Sequence, residues 1–409
     1  AQLERRLDEQ ANTITGLACC FLDSIPLSVI AGQVTTTTLK HGGLRQLGMN
    51  ELDLVSMVLP VTKYAVTVTR AEDILQCLGA ALHMATEGRP GPVWVEIPLD
   101  VQAAEVDPSA LRGFSEVLPI TEPPVPARMI LDMLTAADRP VLMIGNGVRL
   151  AGAVDECVRL ADALQVPVIS SWTAADIVPT DHPCYIGRCG IFGCRPSNLT
   201  VQGADLILAI GTRLSIPQTG HATKLFAPNA RKIVVDIDPF EAGKLADYRV
   251  RSDAGRFIRA MIAEMWDGPA RYEEPKHTAW LHRCRGWRDR YPVMCEEYRT
   301  EDDGVGRGVN SYFFVEELAK HLPDDAIVVT DVGAAFISTM QSMPVKRGQR
   351  LFHSCGVSPM GWGFPASVGA CLAGGGRKVV CLTGDVGMML NMQEFKTIAH
   401  HNLPIAIFV

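Results

Sequence analysis

The sequence predicts an α/β fold built from three successive domains, each a doubly wound parallel sheet. In the middle of the chain, helical stretches separate the apolar strands PVLMIGNG, VPVISS, ADLILAIG and RKIVVDID. Such alternation indicates a parallel sheet with helices on both faces. The same alternation returns later with AIVVTDVG, KVVCLTGD and LPIAIFV. The 409 residues are also too many for a single hydrophobic core, which favours two or three domains.

Composition shifts divide the chain into blocks. In the first block, residues 1–118, ITGLACCFLDSIPLSVIAGQV predicts a helix followed by a strand, and GRPGPVWVEIPLDV predicts another strand between Gly and Pro residues. The Pro-rich LPITEPPVPA predicts an extended linker to the second block, residues 127–266. A polar helical connector, residues 267–308, contains the acidic loop RTEDDGVGRG. The third block covers residues 309–409.

The overall composition is that of an ordinary soluble enzyme, with 47% hydrophobic and 20% charged residues. A net charge of -7 gives no basic footprint, so we expect no nucleic-acid partner. No apolar run is long enough to span a membrane, and no signal peptide opens the sequence. The twelve cysteines are scattered without a CxxC pair. Buried thiols, Cys19 and Cys20 among them, and a cytoplasmic location are therefore expected.

One strand ends in a carboxylate that suits metal binding. KVVCLTGD finishes at Gly384 and Asp385 and leads into an amphipathic helix. A carboxylate at the C-terminal edge of a strand, just before a helix N-terminus, suits a divalent metal that holds a diphosphate. Taken alone, these two residues fit a strand-to-helix turn with Asp as its N-cap better. The wider segment decides between the two interpretations.

That segment, from FHSCGVSPMGWGFPASVGA to LPIAIFV, resembles the thiamine diphosphate (ThDP) enzymes of the acetolactate synthase family. The resemblance covers nearly all of the chain and makes the three blocks PYR, central and PP domains. In the family, a GDG(S/G) motif and an Asn one βαβ step later hold Mg2+ and the cofactor diphosphate. Asp385 matches the first ligand, whereas the Asn is not in this sequence. Val386 stands where the family has Gly, with Gly387 behind it, which bears on backbone approach to the phosphate.

The resemblance implies further ThDP contacts. Met360 matches the bulky apolar residue that wedges the cofactor into its bent conformation, and the Ser358 carbonyl falls where the family's backbone accepts the pyrimidine amino group. The loop from Asp331 to Ala335 matches the diphosphate loop but lacks the Gln-His pair of acetolactate synthases. An ordinary βα turn is an equally good interpretation of this loop. The implied ThDP residues are Val332, Gly333, Ser358, Met360, Gly384, Asp385 and Gly387, with Asp385 also the metal ligand.

The family's catalytic Glu has no counterpart in the chain. AQLERRLDEQ resembles the first PYR helix, and ANTITGL resembles the tail of the Gly-rich PYR loop. In the family, two strands, a helix and the catalytic Glu separate these segments. We therefore infer that a segment is absent between Gln10 and Ala11. Glu9 lies in ERRLDEQ, whose periodicity is typical of a surface helix, and is a poor candidate for the catalytic residue.

A second catalytic position is occupied by a different residue. HGGLRQLGMNELDL resembles the family segment that contains FQE, and places Met49 and Asn50 at the Phe and Gln positions. Asn50 is thus a candidate catalytic residue with a shorter reach. An equally good interpretation is that Asn50 caps a helix that begins at ELDL.

The central block resembles the flavin-binding members of the family. GNGV follows a strand, as a phosphate-binding turn should, and GRCGIFGCR, IGTRLSIPQTG and VVDIDPFEAGK resemble flavin-site segments. Several of these segments are nearer to the branch that adds acetyl units to deoxy-sugar ketones. Arg213 could pair with phosphate oxygens. The implied FAD residues are Gly145, Gly147, Gly211, Thr212, Arg213, Asp236 and Ile237, and the FAD is expected to be structural.

These features predict an enzyme that decarboxylates a 2-keto acid, with pyruvate the expected substrate. It would pass the two-carbon unit to a carbonyl acceptor, either a 2-keto acid or a keto-deoxy-sugar. Two alternatives stay open: a pyruvate oxidase-like flavoenzyme, and a non-catalytic nucleotide-binding homologue, which Val386 and Asn50 motivate. Because the family's active sites lie between PYR and PP domains of different subunits, a homodimer or homotetramer is expected.

Overall fold

The computed structural model describes residues 11–115, 123–267, 276–299 and 308–409. The chain forms two compact units: Ala1–Thr121 with Ser354–Pro359, and Glu122–His353 with Met360–Val409. Glu9, the junction after Gln10, the first part of the Pro-rich linker and most of the acidic loop lie outside the described residues. No described helix combines the length and the apolar character needed to cross a membrane.

The first unit contains a parallel sheet with strand order β1-β3-β2. Leu17 and Trp94 are fully buried in its core. The segment Ser354–Pro359 also belongs to this unit, where Cys355 N donates to Asp23 Oδ2 (3.0 Å). Its elements are α1 (Ile14–Asp23), β1 (Leu27–Gln33), α2 (Leu54–Val58), β2 (Tyr64–Thr67), α3 (Ile74–Thr86), β3 (Pro92–Pro98) and α4 (Leu99–Ala103).

The second unit begins with a six-stranded parallel sheet of order β6-β5-β4-β7-β8-β9. The chain winds outward from β4 to β6, then returns to pair β7 beside β4, so a topological switch point lies between β4 and β7. Its strands are β4 (Pro140–Ile144), β5 (Val168–Ser170), β6 (Tyr185–Arg188), β7 (Leu206–Ile210), β8 (Arg231–Asp236) and β9 (Tyr248–Arg251). Its helices are α5 (Ala127–Ala136), α6 (Gly147–Leu150), α7 (Val154–Leu164), α8 (Arg195–Gly203), α9 (Ile216–Thr219), α10 (Pro239–Gly243), α11 (Ala254–Asp267) and α12 (Thr278–Arg290).

A third parallel sheet, of order β11-β10-β12-β13, completes this unit. Every residue of β10 and β12 is buried, which explains why their sequences are apolar except for Thr330 at the end of β10. The predicted α/β class with parallel sheets is therefore confirmed. The elements are α13 (Ser311–His321), β10 (Ile327–Thr330), α14 (Ala334–Ser342), β11 (Arg350–Phe352), α15 (Gly363–Ala373), β12 (Val379–Leu382), α16 (Asp385–Leu390), α17 (Glu394–His400) and β13 (Ile405–Phe408).

A buried carboxylate joins the six-stranded and four-stranded sheets. The side chain of Asp176 is only 1% exposed and accepts hydrogen bonds from Arg149 Nη2 (2.8 Å) and Arg350 Nε (2.7 Å). Leu351 N also donates to this carboxylate (3.1 Å). Arg149 lies in α6 and Arg350 begins β11, so one carboxylate connects the first turn after β4 to the edge of the third sheet.

All twelve cysteines are free thiols. Cys19 is buried and Cys20 is half-buried, close to the expectation for this pair. Burial raises the pKa of the Cys20 thiol to about 11, so this side chain stays protonated at neutral pH.

Candidate functional site

The loops after β10 and β12 enclose a cavity of about 860 Å³ at the carboxyl edge of the third sheet. β10 and β12 are adjacent and parallel, so the segments that follow them meet at the same edge. Six of the seven residues predicted to contact ThDP line this cavity: Val332, Gly333, Met360, Gly384, Asp385 and Gly387. Much of the remaining wall is apolar and comes from Val309, Phe314, Leu382, Val386 and Phe408.

Two helices begin at the cavity. α14 starts after Gly333 and α16 starts after Gly384, and these glycine N-caps have no side chain to cap the first turn. The first N–H groups of a helix have no partner within the helix, and the helix dipole adds partial positive charge there. Gly333 has φ 82°, a conformation that favours glycine. Two helix N-termini that face one cavity form a site suited to an anion with several phosphate oxygens.

Asp331 organises the loops around the cavity. It is 2% exposed and accepts hydrogen bonds from Val332 N (2.8 Å), Gly361 N (3.0 Å) and Thr383 Oγ1 (3.0 Å). These donors belong to the loops after β10, before α15 and after β12. The carboxylate therefore fixes three segments relative to one another. This role of Asp331 could not be predicted from the sequence, because only the paired strand ends bring the donors together.

Gly387 packs directly on Asp331. A Cβ atom at position 387 would lie 2.5 Å from Asp331 Oδ2 and 2.8 Å from Thr383 Oγ1, closer than side chains approach one another. Glycine is therefore required at position 387. Val386, at the position where the related motif has Gly, lies in the first turn of α16 and is 49% exposed. Its side chain adds apolar surface to the cavity wall.

Asp385 supplies an exposed carboxylate at the cavity, in the first turn of α16. Within the described ranges, no group of three or more His, Cys, Asp or Glu side chains could hold a metal. Protein sites for Mg2+ commonly use one or two carboxylates together with phosphate oxygens and water. Asp385 beside two helix N-termini fits that donor set. Thr339 Oγ1 adds a buried hydroxyl that lines the cavity and has no hydrogen-bond partner among the described residues.

Met360 extends into this cavity from a rigid turn. Its side chain is 59% exposed, and the backbone after it is held by Gly361 N to Asp331 and by Asn391 Nδ2 to Gly361 O (2.8 Å). Gly361 has φ 85°, which makes glycine the favoured residue in this turn. Ser358 belongs to the other compact unit. It has φ 53°, and its Oγ donates to Ser354 O (3.0 Å).

Asn50 lies exposed on a turn in the first unit, with φ 64°. Asn tolerates this left-handed conformation better than Gln does. The helix that follows, α2, is capped by Asp53, which accepts from Ser56 N (3.2 Å). The interpretation of Asn50 as a helix cap is therefore wrong, because the helix begins four residues later. The catalytic role of Asn50 stays a prediction.

Glu51 holds the loop that carries Asn50. Its carboxylate accepts from the backbone N–H groups of Lys40 (2.6 Å), Leu47 (2.7 Å) and Gly48 (3.2 Å). Burial acts to raise the pKa of Glu51, but these hydrogen bonds outweigh it and the net pKa is lowered. Glu51 was not among the residues predicted from the sequence, although its place next to the predicted catalytic position was a signal.

The residues predicted to bind FAD lie along one edge of the six-stranded sheet. Gly145 and Gly147 follow β4, Gly211 follows β7, and the two loops pack backbone to backbone at the switch point. A Cβ atom at Gly145 would lie 2.2 Å from Gly211 O, and one at Gly147 would lie 2.7 Å from Gly211 Cα. These glycines are therefore required by the contact between the loops. Thr212 and Arg213 continue the second loop. Asp236 is the last residue of the neighbouring strand β8, and Ile237 follows it.

This edge suits a dinucleotide because ligands of open α/β sheets bind at the switch point beyond the carboxyl ends of the strands. Thr212 is already engaged, since its Oγ1 donates to Gln218 Oε1 (2.8 Å). Asp236 Oδ1 accepts from Asp238 N (2.9 Å) and shapes the turn after β8. Arg213 is half-buried at the same edge and carries the positive charge of this predicted set.

Comparisons with known proteins agree with this geometry. Residues 127–261 match the family described as "Thiamine pyrophosphate enzyme, central domain", and residues 331–409 match "Thiamine pyrophosphate enzyme, C-terminal TPP binding domain". The chain is similar to the probable acetolactate synthase large subunit of Methanocaldococcus jannaschii, with 31% identity over 97% of the chain and 67% of the relative. It is also similar to the Escherichia coli acetolactate synthase isozyme 2 large subunit, with 32% identity over 97% of the chain and 68% of the relative. The isozyme 1 large subunit shows 33% identity over 97% and 67%.

Proposed function

The chain belongs to the acetolactate synthase family of thiamine diphosphate enzymes, and we propose that it decarboxylates a 2-keto acid, pyruvate, and transfers the two-carbon unit to a carbonyl acceptor. The observation that carries this proposal is the cavity on the third sheet, where two uncapped helix N-termini meet the carboxylate of Asp385. The chain spans about two thirds of the length of these relatives, so the activity of the whole protein is part of the proposal.

The residues present fit a bound diphosphate and its metal. The first-turn N–H groups of α14 and α16 would bind the diphosphate oxygens, and Asp385 would hold Mg2+ together with those oxygens. The chemistry that ThDP supplies when bound is an acidic carbon that adds to the keto acid and holds the electron pair left when CO2 departs. Asp331 contributes by fixing the loops that carry both sets of N–H groups.

The apolar residues of the cavity have a separate task. Met360 would support the bound cofactor in its reactive conformation, since the turn at Gly361 holds its backbone from two sides. Leu382 and Val386 line the cavity and would exclude water from the reacting atoms. A dry site strengthens the electrostatic interactions inside it and limits the loss of the two-carbon unit to solvent protons.

We further propose FAD as a structural cofactor at the switch point of the six-stranded sheet. The backbone of the Gly145 and Gly211 loops would follow the dinucleotide, Arg213 would pair with its phosphates, and Asp236 and Ile237 would lie near the adenine. The proposed acceptor is a 2-keto acid or a keto-deoxy-sugar. The proposed assembly is a homodimer or homotetramer. The free thiols support a reducing, cytoplasmic setting.

The test is an assay of the full-length protein with labelled pyruvate, ThDP, Mg2+ and FAD, with and without each acceptor. We expect CO2 release that requires ThDP and Mg2+, and a two-carbon addition product with one acceptor. Asp385→Asn should weaken Mg2+ binding by at least about tenfold. Asp324→Asn, which removes an exposed carboxylate paired with Lys346, is the matched control and should retain wild-type Mg2+ dependence.

Two outcomes would count against the proposal. Cofactor binding without CO2 release from any 2-keto acid would exclude the decarboxylase activity. Unchanged Mg2+ dependence in Asp385→Asn would exclude Asp385 as the ligand. The visible absorbance of flavin that co-purifies with the protein tests FAD independently of activity.

A further inference from the structure

A second cavity, of about 140 Å³, lies between the edge strand β6 and the C-terminal end of α14. It is far smaller than the cavity on the third sheet, and the two share no lining residue among those that the structure describes. Two arginines line it, Arg188 and Arg288, and none of the described residues that line it is acidic. Pro292, an exposed residue, is part of its wall, so the cavity reaches the surface.

Arg188 is buried, and no described carboxylate pairs with it. It is 3% exposed, and it donates from Nη1 to Met340 O (2.8 Å) and from Nη2 to Met343 O (3.0 Å). Its Nε is buried and has no hydrogen-bond partner in the described part of the chain. Arginine is almost never fully buried unless it is paired, because desolvating the charge is costly. The C-terminus of α14 offsets only about half a unit of charge, so the guanidinium keeps net positive charge.

Other guanidinium groups surround the same cavity. Arg288 Nη1 donates to Tyr185 O (2.8 Å), and both residues line the cavity. Tyr291, another lining residue, has the guanidinium of Arg195 4.9 Å from its ring centroid and that of Arg290 5.5 Å away. In the described part of the chain, four guanidinium groups therefore lie at or next to this cavity, and no acidic residue lines it. Their charges add to a positive potential inside it.

We propose that this cavity binds a small oxyanion, a phosphate or a short carboxylate. The volume has room for a few water-sized groups at about 30 Å³ each, which suits an ion of this size. The planar guanidinium fork matches the oxygens of carboxylate and phosphate groups, and a charge-assisted bond would satisfy Arg188 Nε. None of the residues predicted to bind ThDP or FAD lines this cavity, although Gly187, Arg188 and Cys194 belong to GRCGIFGCR, which resembles a flavin-site segment. The proposal does not depend on the proposed reaction.

The experiment uses the full-length protein saturated with ThDP, Mg2+ and FAD, so that the two proposed cofactor sites do not compete for phosphate. Inorganic phosphate and acetate are titrated separately by calorimetry, with chloride matching the ionic strength. We expect saturable binding of one of the two, and the tighter anion identifies the ligand class. Arg288→Gln should raise its Kd at least about tenfold, because it removes a charged donor from the wall without touching Arg188.

Arg285→Gln is the matched control. It removes the same charge from the same helix, α12, at an exposed position that does not line the cavity. This variant should keep the wild-type Kd. An equal Kd in the Arg288→Gln variant and in wild type would overturn the proposal. So would the absence of saturable binding beyond the chloride control, since it would mean that water alone fills the cavity.

Discussion

Replacing Gly387 by Ala tests how closely α16 packs on Asp331. The new Cβ atom would meet Asp331 Oδ2 at 2.5 Å, so the carboxylate must turn away from Gly361 N and Thr383 Oγ1. Losing two hydrogen bonds to a charged acceptor costs about 3 kcal/mol. Alanine returns about 1 kcal/mol through its higher helix propensity. We expect a net loss of about 2 kcal/mol in the free energy of unfolding, measured by urea denaturation, together with weaker ThDP binding.

Gly369→Ala is the control for this change. Gly369 lies on an exposed part of α15, and a Cβ atom there would meet no described atom within 4 Å apart from its chain neighbours and the backbone of its own helix. The same substitution should therefore stabilise the protein by about 0.5–1 kcal/mol through helix propensity alone. A Gly387→Ala variant as stable as wild type, or one that is stabilised like the Gly369→Ala variant, would show that α16 does not pack closely on Asp331.

Three further predictions concern other parts of the molecule. Asp176→Ala should lower the free energy of unfolding by about 2 kcal/mol, measured by urea denaturation. This is less than for a fully buried ion pair, because the side chains of Arg149 and Arg350 reach water. A loss no larger than that from removing an exposed carboxylate would contradict this expectation. The lowered pKa of Glu51 contributes stability that is present above its ordinary value of 4.5 and is lost as pH falls through the lower folded-state pKa. Glu51→Gln should remove this component from a pH titration of stability, whereas an unchanged pH profile would argue against it. Asn50→Gln should lower the thermal unfolding temperature, because a Gln at φ 64° costs about 1 kcal/mol more than Asn, whereas Asn50→Gly should not.

The fold class could be predicted because the buried strands of a parallel sheet are recognisable as apolar runs in the sequence. β4, β7, β10 and β12 are buried on both faces, and each is an apolar run in the sequence apart from Thr330 at the end of β10. The helices predicted between these strands favour parallel pairing, because parallel strands are usually joined by a helical crossover. Strand order could not be obtained in this way, since the return of β7 to the side of β4 depends on packing between distant segments.

The cavity was predictable in outline for the same reason. Asp385 ends a strand, and the carboxyl ends of parallel neighbours meet at one edge, so its proximity to Gly333 follows from the fold class. The role of Asp331 did not follow. Its donors, Gly361 and Thr383, are 30 and 52 residues away in sequence, and no local pattern links them. The glycine at 387 has its explanation only once that carboxylate is in place.

Helix α14 links the larger cavity to strand β6. Its nine residues span about 13 Å. Its first turn faces the larger cavity, and carbonyl groups at its C-terminal end accept hydrogen bonds from the guanidinium of Arg188 in β6. A fragment limited to residues 309–409 would lose this C-terminal anchor and leave the helix end to water. Substitutions along β6 should therefore emerge from a genetic screen for altered ThDP requirement, although no residue of that strand lines the larger cavity.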